Sequence, residues 1–241
     1  MKKIWVITLL MISIGASSQW NWKRIDGNGI LKKETRKVEP FTGISSSGSW
    51  DVMVAYGNST DIEVEGDENL LEHIETVVEN GKLYIRAKKY GNIRSKNKIT
   101  VYVTATRLQH LSLSGSGDII GKGEFVNNGN TNVIVSGSGN IRFEFDRFNE
   151  IDASVSGSGG IKMKGTAKEI EARVSGSGNI DCKEVIADDA SARISGSGNI
   201  KVHATTSIDV NISGSGNVHY SGNAQNVRTH KNGSGRIVKG N

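Results

Sequence analysis

Three acidic residues occupy equivalent positions in a repeated sequence and could do acid–base chemistry together. Asp152, Glu171 and Asp209 each lie four residues before a Ser-Gly-Ser-Gly phrase. If these phrases mark successive turns of a stacked structure, Asp152 and Glu171 stand on adjacent turns, about 5 Å apart. Carboxylates at that spacing change each other's pKa and can serve in glycoside cleavage. The pattern therefore allows a polysaccharide-active enzyme.

Two arginines argue against this chemistry. Arg173 and Arg193 lie two residues after the acidic position in their repeats, in the next outward column, where they would neutralise the carboxylates. Aromatic residues that could stack on a sugar are lacking nearby, and no conspicuous loop forms a cleft. We therefore expect a solvated charged face and no catalytic residue.

Metal and phosphate sites are also disfavoured. Calcium-binding β-rolls place Asp in each turn of a nine-residue repeat, whereas here the residue after the second Gly is a carboxylate only at Asp118. No helix or Lys-Ser/Thr pair follows the glycines, as a nucleotide loop requires. The five histidines are scattered, and Cys182 occupies an inward position typical of a small buried hydrophobe. We expect no metal and no cofactor.

The repeat must position these side chains. The phrase Ser-Gly-Ser-Gly-x-Ile/Val begins at residues 114, 136, 156, 175, 195 and 213, and a seventh copy with Asn first begins at 232. The steps are 22, 20, 19, 20, 18 and 19 residues, which indicates a stacked repeat. Because the phrase never changes length, the variation must fall at the opposite corner.

The sequence around each phrase alternates with period two. Residues one, three and five before the first Ser are mostly apolar, as in Val174, Ala172 and Ile170, and the alternation resumes after the phrase. This pattern predicts strands with one buried face. We predict an all-β fold, a β-solenoid of stacked coils of about twenty residues with Gly-Ser-Gly corners, whose Ser and Asn side chains can bond to the local backbone and can form ladders from coil to coil.

The repeated Ser-Gly-Ser-Gly-Asn-Ile phrase resembles the head GIN domain family, whose members are described as "putative auto-transporter adhesins" of Gram-negative bacteria. The resemblance extends upstream to Gly27–Ile30, Phe41–Ile44 and Ser47–Val52. It covers nearly everything after residue 18. It implies a β-solenoid fold, export and an adhesin role, and it supplies no catalytic residues.

The N-terminal sequence predicts export. Lys2 and Lys3 precede an apolar run from Ile4 to Ile14 and then small residues, so residues 1–18 are predicted to be a signal peptide. We expect an entry or cap segment at 19–40 and a continuous solenoid at 41–241. Its coils are degenerate over 41–105, with a helical turn that Asp67 would cap and an Asn80-Gly81 hairpin, and regular over 106–241. No second apolar run is long enough to span a membrane, so no transmembrane segment is expected in the mature chain.

One surface feature could bind a ligand. Basic side chains recur at outward positions of the strand after each corner and predict a polyanion-binding stripe along the solenoid. Its members are Lys122, Arg142, Lys162, Lys164, Lys183, Lys201, His203 and His219. Charges repeated about every 4.8 Å would match an acidic polysaccharide or lipopolysaccharide phosphate. The alternative is that these lysines only keep a solvated strand face from aggregating.

Our preferred interpretation is an exported, non-enzymatic β-solenoid whose repetitive surface acts in adhesion or in cell-envelope interactions. It would be periplasmic, attached to the cell surface or secreted, and its partner an envelope or extracellular polysaccharide or another surface protein. Without Lys2 and Lys3 the charge is +3, from 28 basic and 25 acidic residues, which does not favour nucleic acid. The alternatives are a self-associating structural envelope protein and a polysaccharide-active enzyme.

Overall fold

Alternating apolar residues on both sides of each corner cannot be buried within one coil, so the coils must stack. The computed structural model describes residues 24–88 and 92–240, which form a β-solenoid of about six turns. The predicted signal peptide lies outside the described residues, as do residues 19–23 of the predicted entry segment. Within the described residues, no helix is long and apolar enough to cross a membrane.

The described residues of the first half form one short helix, α1 (Glu68–Leu71), and nine strands. These strands are β1 (Arg24–Asp26), β2 (Leu31–Lys37), β3 (Gly43–Gly48), β4 (Asp51–Tyr56), β5 (Asp61–Asp67), β6 (Ile74–Glu79), β7 (Lys82–Ala87), β8 (Asn92–Arg94) and β9 (Thr100–Ala105). Strands β3 and β7 pair in parallel, as do β4 and β9. Strand β2 pairs antiparallel with β5, and β6 pairs antiparallel with β7. This half therefore mixes solenoid coils with antiparallel additions.

The predicted hairpin is confirmed between β6 and β7. Its two-residue loop is Asn80 and Gly81, with φ of 52° and 71°, the left-handed pair that a tight hairpin requires. The helical turn after Asp67 is also present. The short strand β8 pairs in parallel with β1.

The regular repeats build the second half. Their strands are β10 (His110–Gly115), β11 (Ile119–Lys122), β12 (Val126–Val135), β13 (Asn140–Val155), β14 (Gly160–Val174), β15 (Asn179–Gly196), β16 (Asn199–Gly214), β17 (Asn217–Ser221), β18 (Asn226–Asn232) and β19 (Arg236–Lys239). Strands β12 to β16 pair in parallel, each with the next. Residues at the same position of successive phrases are aligned, as Val155 is with Val174.

The corners stack glycine on glycine. A Cβ atom placed on Gly196 would lie 2.4 Å from the carbonyl oxygen of Gly176, and Gly196 has a φ of 152°. Any other residue would therefore collide with the backbone of the coil below and strain its own. The amide of Ser197 donates to the Gly176 carbonyl at 2.8 Å, so the corner continues the backbone ladder.

The predicted side-chain ladder between coils is present for the asparagine that follows the corner. Asn199 donates to Asn179 at 2.8 Å and Asn217 donates to Asn199 at 2.9 Å through their side chains. The side chains of the first and third corner residues Ser136 and Ser138 lie in exposed positions. Water can satisfy a hydroxyl there, so these serines need no ladder.

The opposite corner is not a loop but a bent, hydrogen-bonded strand. Strands β13, β14 and β15 each run through it without interruption. Register shifts between neighbouring strands fall there, for example between Lys162 and Lys164. β-Bulges of this kind bend strands and absorb extra residues. This accounts for the variable coil length.

The core runs along the solenoid axis as one cluster of buried side chains from Ile44 to Val218. In the wider coils it holds aromatic rings, with Phe125 and Phe143 centred 5.0 Å apart. One coil further along, Met163 takes the position of Phe143, and small residues such as Ala172 and Ala192 fill core positions before the corner. Cys182 is fully buried, and burial raises the pKa of its thiol to about 12.

A buried carboxylate fastens the N-terminal segment to the first half. Asp67 is fully buried and accepts hydrogen bonds from the amides of Gly29 (3.1 Å), Lys96 (2.6 Å) and Asn97, and from the Asn97 side chain (2.6 Å). Burial opposes its ionisation, but these donors outweigh burial and lower the pKa of Asp67. Its side chain does not cap α1, although Asp67 is the residue before that helix.

Candidate binding surface

The strands after the corners present aligned columns of outward side chains. The central column consists of residues that are register partners on successive strands: Tyr102, Met53, Ile120, Arg142, Lys162, Asp181, Lys201 and His219. The second column lies two residues further along each strand, or three on β15, where a register shift intervenes: Thr104, Ala55, Lys122, Glu144, Lys164 and Glu184. Both columns cross from the first half into the regular repeats.

These columns contain most of the predicted polyanion-binding stripe. Arg142, Lys162, Lys201 and His219 lie in the central column, and Lys122 and Lys164 lie in the second. The structure places Lys183 outside the second column, because the register shift after Lys162 aligns Glu184, and not Lys183, with Lys164.

The next strand carries a second irregularity. His203 is aligned with Ile186 and Ser221, and its Nδ1 atom lies 3.0 Å from the Ser221 hydroxyl oxygen. His203 therefore lies outside both columns, because the second-column residue on the preceding strand is Glu184.

Carboxylates interleave with these cations. Glu144 lies 3.2 Å from Lys122 and 3.7 Å from Lys164, and it bridges the two ammonium groups. The hydrogen bond from Lys122 contributes most to lowering the pKa of Glu144. Arg142 pairs with Asp118 at 2.6 Å. The surface is a ladder of alternating charge rather than a purely basic stripe. Polyanion binding along it stays a prediction.

The acidic column before the corner is arranged as the sequence predicts. Asp152 and Glu171 are register partners on β13 and β14. Arg173 bonds to Asp152 at 2.6 Å and also to Glu171, and Arg193 pairs with Glu171 as well. Each carboxylate is thus occupied by guanidinium groups in a charge-balanced chain. Nothing in this arrangement isolates a carboxylic acid beside a carboxylate, as glycoside cleavage requires.

An apolar groove interrupts the charged surface in the first half. Met53, Tyr102 and Ile120 form adjacent members of the central column, and Ala55 lies beside them. The groove encloses about 570 Å³. Tyr102 is 36% exposed, and the Lys33 ammonium lies 4.7 Å from the centre of its ring. Asp61 and Glu63 line the wall towards β2, and Lys122 lies at the other end.

A shallower charged depression adjoins the groove. It encloses about 350 Å³ and is lined by Lys122, Arg142, Lys162 and Lys164 together with Glu144 and Glu184. Ile120, Gly121 and Lys122 line both spaces. An apolar groove and a cation-lined depression are therefore continuous on one face.

Sequence reasoning missed the groove. Its signal was the apolar residue at an outward position in each of three strands, Met53, Tyr102 and Ile120. That signal is readable only when strands far apart in the chain are known to be neighbours.

Potential metal ligands do not assemble elsewhere. Across residues 24–88 and 92–240, no three His, Cys, Asp or Glu side chains are grouped so that they could hold a metal ion. His110 is partly buried, and burial together with the nearby Lys82 lowers its pKa.

Comparisons with solved structures agree on the architecture. The crystal structure of a "putative adhesin" from Bacteroides fragilis is 24% identical, with a TM-score of 0.81 over 89% of this chain and 99% of that one. A "putative lipid binding protein" from Parabacteroides distasonis is 28% identical, with a TM-score of 0.77 over 91% of this chain and 100% of that one. A "putative adhesin" from Parabacteroides merdae is 23% identical, with a TM-score of 0.68 over 90% of this chain and 99% of that one.

No curated protein matches the chain. The family model described as "Putative auto-transporter adhesin, head GIN domain" matches residues 40–224, well over half of the 241 residues. That range contains most of the solenoid coils, the charged depression and the lining of the groove except Thr35. The chain therefore belongs to the head GIN domain family.

Proposed function

We propose that this protein is exported and acts without catalysis, binding a cell-envelope or extracellular partner in an adhesin-like role. The observation that carries the proposal is the outer face after the corners, where aligned side chains form a continuous surface along the solenoid. Membership of a family described as adhesins supports it. Many weak contacts repeated along such a face add up to useful affinity for an extended partner.

The polysaccharide-active alternative is less favoured on geometry. The carboxylates that suggested it, Asp152 and Glu171, are both bonded to Arg173, and Glu171 also to Arg193. A general acid must carry a proton and a base must have a free oxygen near the substrate. Neither condition fits a carboxylate held between guanidinium groups.

Self-association through the C-terminal end of the solenoid is disfavoured by its last coil. There Thr229 and Lys231 occupy the positions that Val210 and Ile212 occupy one coil earlier, and Lys239 is aligned with Tyr220. Lysines at core-facing positions oppose the docking of another coil.

Lipid binding is a second candidate, favoured by the apolar groove around Met53, Tyr102 and Ile120. An exposed apolar groove on an otherwise charged surface marks a place where an apolar partner can dock. The similar Parabacteroides distasonis structure described as a "putative lipid binding protein" supports this candidate.

The test is a binding screen with the chain from residue 19 onward. Purified outer-membrane, peptidoglycan and polysaccharide fractions and a glycan array are presented to it, and its mass in solution is measured in parallel. Retention by at least one envelope or glycan fraction, without release of shortened glycans, supports the proposal. Release of glycan fragments would overturn the non-catalytic assignment, and absence of retention by every fraction would overturn the binding role.

A further inference from the structure

The groove and the charged depression have complementary properties and a shared wall. Along the central column the side chains change from apolar, ending at Ile120, to basic, beginning at Arg142 on the adjacent strand. Lys122, two residues after Ile120, lines both spaces. A ligand lying across this boundary would meet apolar atoms on one side and ammonium groups on the other.

The apolar half has the shape for a narrow chain. Met53, Tyr102 and Ile120 stand on three adjacent strands, so they extend about 10 Å across the sheet. The second column leaves space beside them, because its member on β4 is Ala55, whose side chain is small and exposed. A volume of about 570 Å³ falls in the ordinary range for small-molecule sites.

The charged half retains positive charge despite its ion pairs. Four cations, Lys122, Arg142, Lys162 and Lys164, face three carboxylates, because Lys122 and Lys164 share Glu144. The Lys162–Glu184 and Lys164–Glu144 separations are long, at 3.5 and 3.7 Å. The side chain of Lys122 is 77% exposed. Exposed pairs of this kind are weak, so an incoming anion can compete for the lysines.

We propose that the combined site binds an anionic amphiphile with a single alkyl or acyl chain. The chain lies in the groove along Tyr102, Met53 and Ile120, and the anionic head group contacts Lys122, Lys162 and Lys164. On the far wall Asp61 and Glu63 outnumber Lys33, which pairs with Glu63 at 3.1 Å, so that end stays acidic and the four cations at the other end set the direction of the ligand. This inference rests on the proposed binding role and specifies its ligand chemistry.

The direct test uses dodecyl phosphate as the probe, below its micelle concentration, in calorimetric titration of the chain from residue 19 onward. We expect saturable one-to-one binding, with octyl phosphate weaker by up to about fourfold for each methylene removed. Inorganic phosphate alone should bind at least tenfold more weakly. Dodecyltrimethylammonium, with the same chain and the opposite charge, should also bind at least tenfold more weakly.

Variants separate the two halves of the site. Ala55→Phe fills the groove from an exposed position, and it should weaken dodecyl phosphate binding at least tenfold. Lys122→Gln combined with Lys164→Gln should weaken dodecyl phosphate while leaving the neutral chain analogue dodecanol unchanged. Ile134→Phe on β12 and Lys168→Gln on β14 change residues that line neither the groove nor the depression, and these matched controls should bind as the parent does. Thermal melting of each variant checks that it is folded.

Several outcomes would overturn the inference. These are no binding of dodecyl phosphate by the folded parent, equal binding of the cationic amphiphile, equal binding of inorganic phosphate, or unchanged binding in folded Ala55→Phe. Each leaves the broader proposal intact if the envelope or glycan screen is positive. Conversely, a negative screen with tight dodecyl phosphate binding would reject adhesion and leave this site standing.

Discussion

The two halves of the solenoid use the same parallel stacking but different means of holding it together. In the regular repeats, each coil copies the one before, with glycine over glycine at the corner and Asn179, Asn199 and Asn217 in a ladder. In the first half, antiparallel strands and the buried Asp67 carboxylate hold segments that do not repeat. Repetition thus stabilises one half through many equal contacts, and a few specific contacts stabilise the other.

The halves also differ on their outer faces. Beyond Ile120 the central and second columns are largely charged, whereas before it they hold Tyr102, Met53 and Ala55. A regular coil offers the same narrow surface at each step, so a concave site is difficult to build there. The irregular half can place β2 and β5 beside the outer face and so enclose the groove. Departure from the repeat is therefore where a ligand site can form.

The largest expected effect tests the stacking of the regular half. Ile194→Asp buries a charge among packed coils, and we expect destabilisation by more than about 4 kcal/mol or failure to fold. Ile134→Asp makes the same change at an outward, 39%-exposed position and should cost less than about 1 kcal/mol. Urea unfolding of both variants measures the difference. Equal losses would contradict the inward and outward assignment.

The corner glycines come next. Gly196→Ala would place a methyl group 2.4 Å from the Gly176 carbonyl, and we expect a loss of about 3 kcal/mol. Gly81→Ala in the hairpin of the first half has no atom within 4 Å of the new Cβ, and only its φ of 71° is unfavourable. It should lose about 1 kcal/mol. If both glycines tolerate alanine equally, close stacking is not what the repeated corner provides.

Acid should weaken the first half through Asp67. Because its pKa is lowered in the folded state, its contribution is fully present above the unfolded value of about 3.9. That contribution is lost as the pH falls through the lower folded pKa. Asp67→Asn should cost about 1–3 kcal/mol at pH 7, because an amide group cannot accept all four hydrogen bonds. The variant's stability should approach that of the parent near pH 2, and a constant difference from pH 7 to pH 2 would contradict this role.

Variants of the last coil test whether its side chains prevent another molecule from stacking on the regular half. Replacing Lys231 and Lys239 with Ile, together with Thr229→Val, restores apolar residues at core-facing positions. We expect end-to-end dimers or longer assemblies in sedimentation experiments, because an uncapped coil offers strand edges and apolar surface. The control changes three exposed lysines elsewhere to Ile. Assembly of the control to the same extent would show that added surface hydrophobicity alone is responsible.

The smallest expected effect concerns the predicted polyanion-binding stripe. Changing Arg142, Lys162, Lys164 and Lys201 to Gln should reduce retention on an acidic polysaccharide column by about two- to fivefold, since exposed pairs contribute little. Retention of the parent should fall as salt increases. If parent and variant are retained equally at low salt, these side chains only keep the face soluble.

The repeating architecture was predictable from the sequence alone. The constant Ser-Gly-Ser-Gly phrase and the period-two alternation around it were sufficient to predict the coil, its inward residues such as Val174, and the placement of length variation away from the corner. The reason is that both signals are local: glycine permits one backbone conformation, and alternation defines one buried face. The alignment of Asp152 with Glu171 follows from the same period.

The features that depend on register and on distant strands became known only from the three-dimensional structure. The bulge after Lys162 replaced Lys183 with Glu184 in the second column, and no local signal fixes where a bulge falls. The groove requires Met53, Tyr102 and Ile120 on adjacent strands, although Met53 and Tyr102 lie almost fifty residues apart in the chain. Asp67 likewise gains its four donors from two remote segments. Pairing between distant strands is settled by the packing of the whole chain, which a repeat pattern does not encode once the repeat becomes irregular.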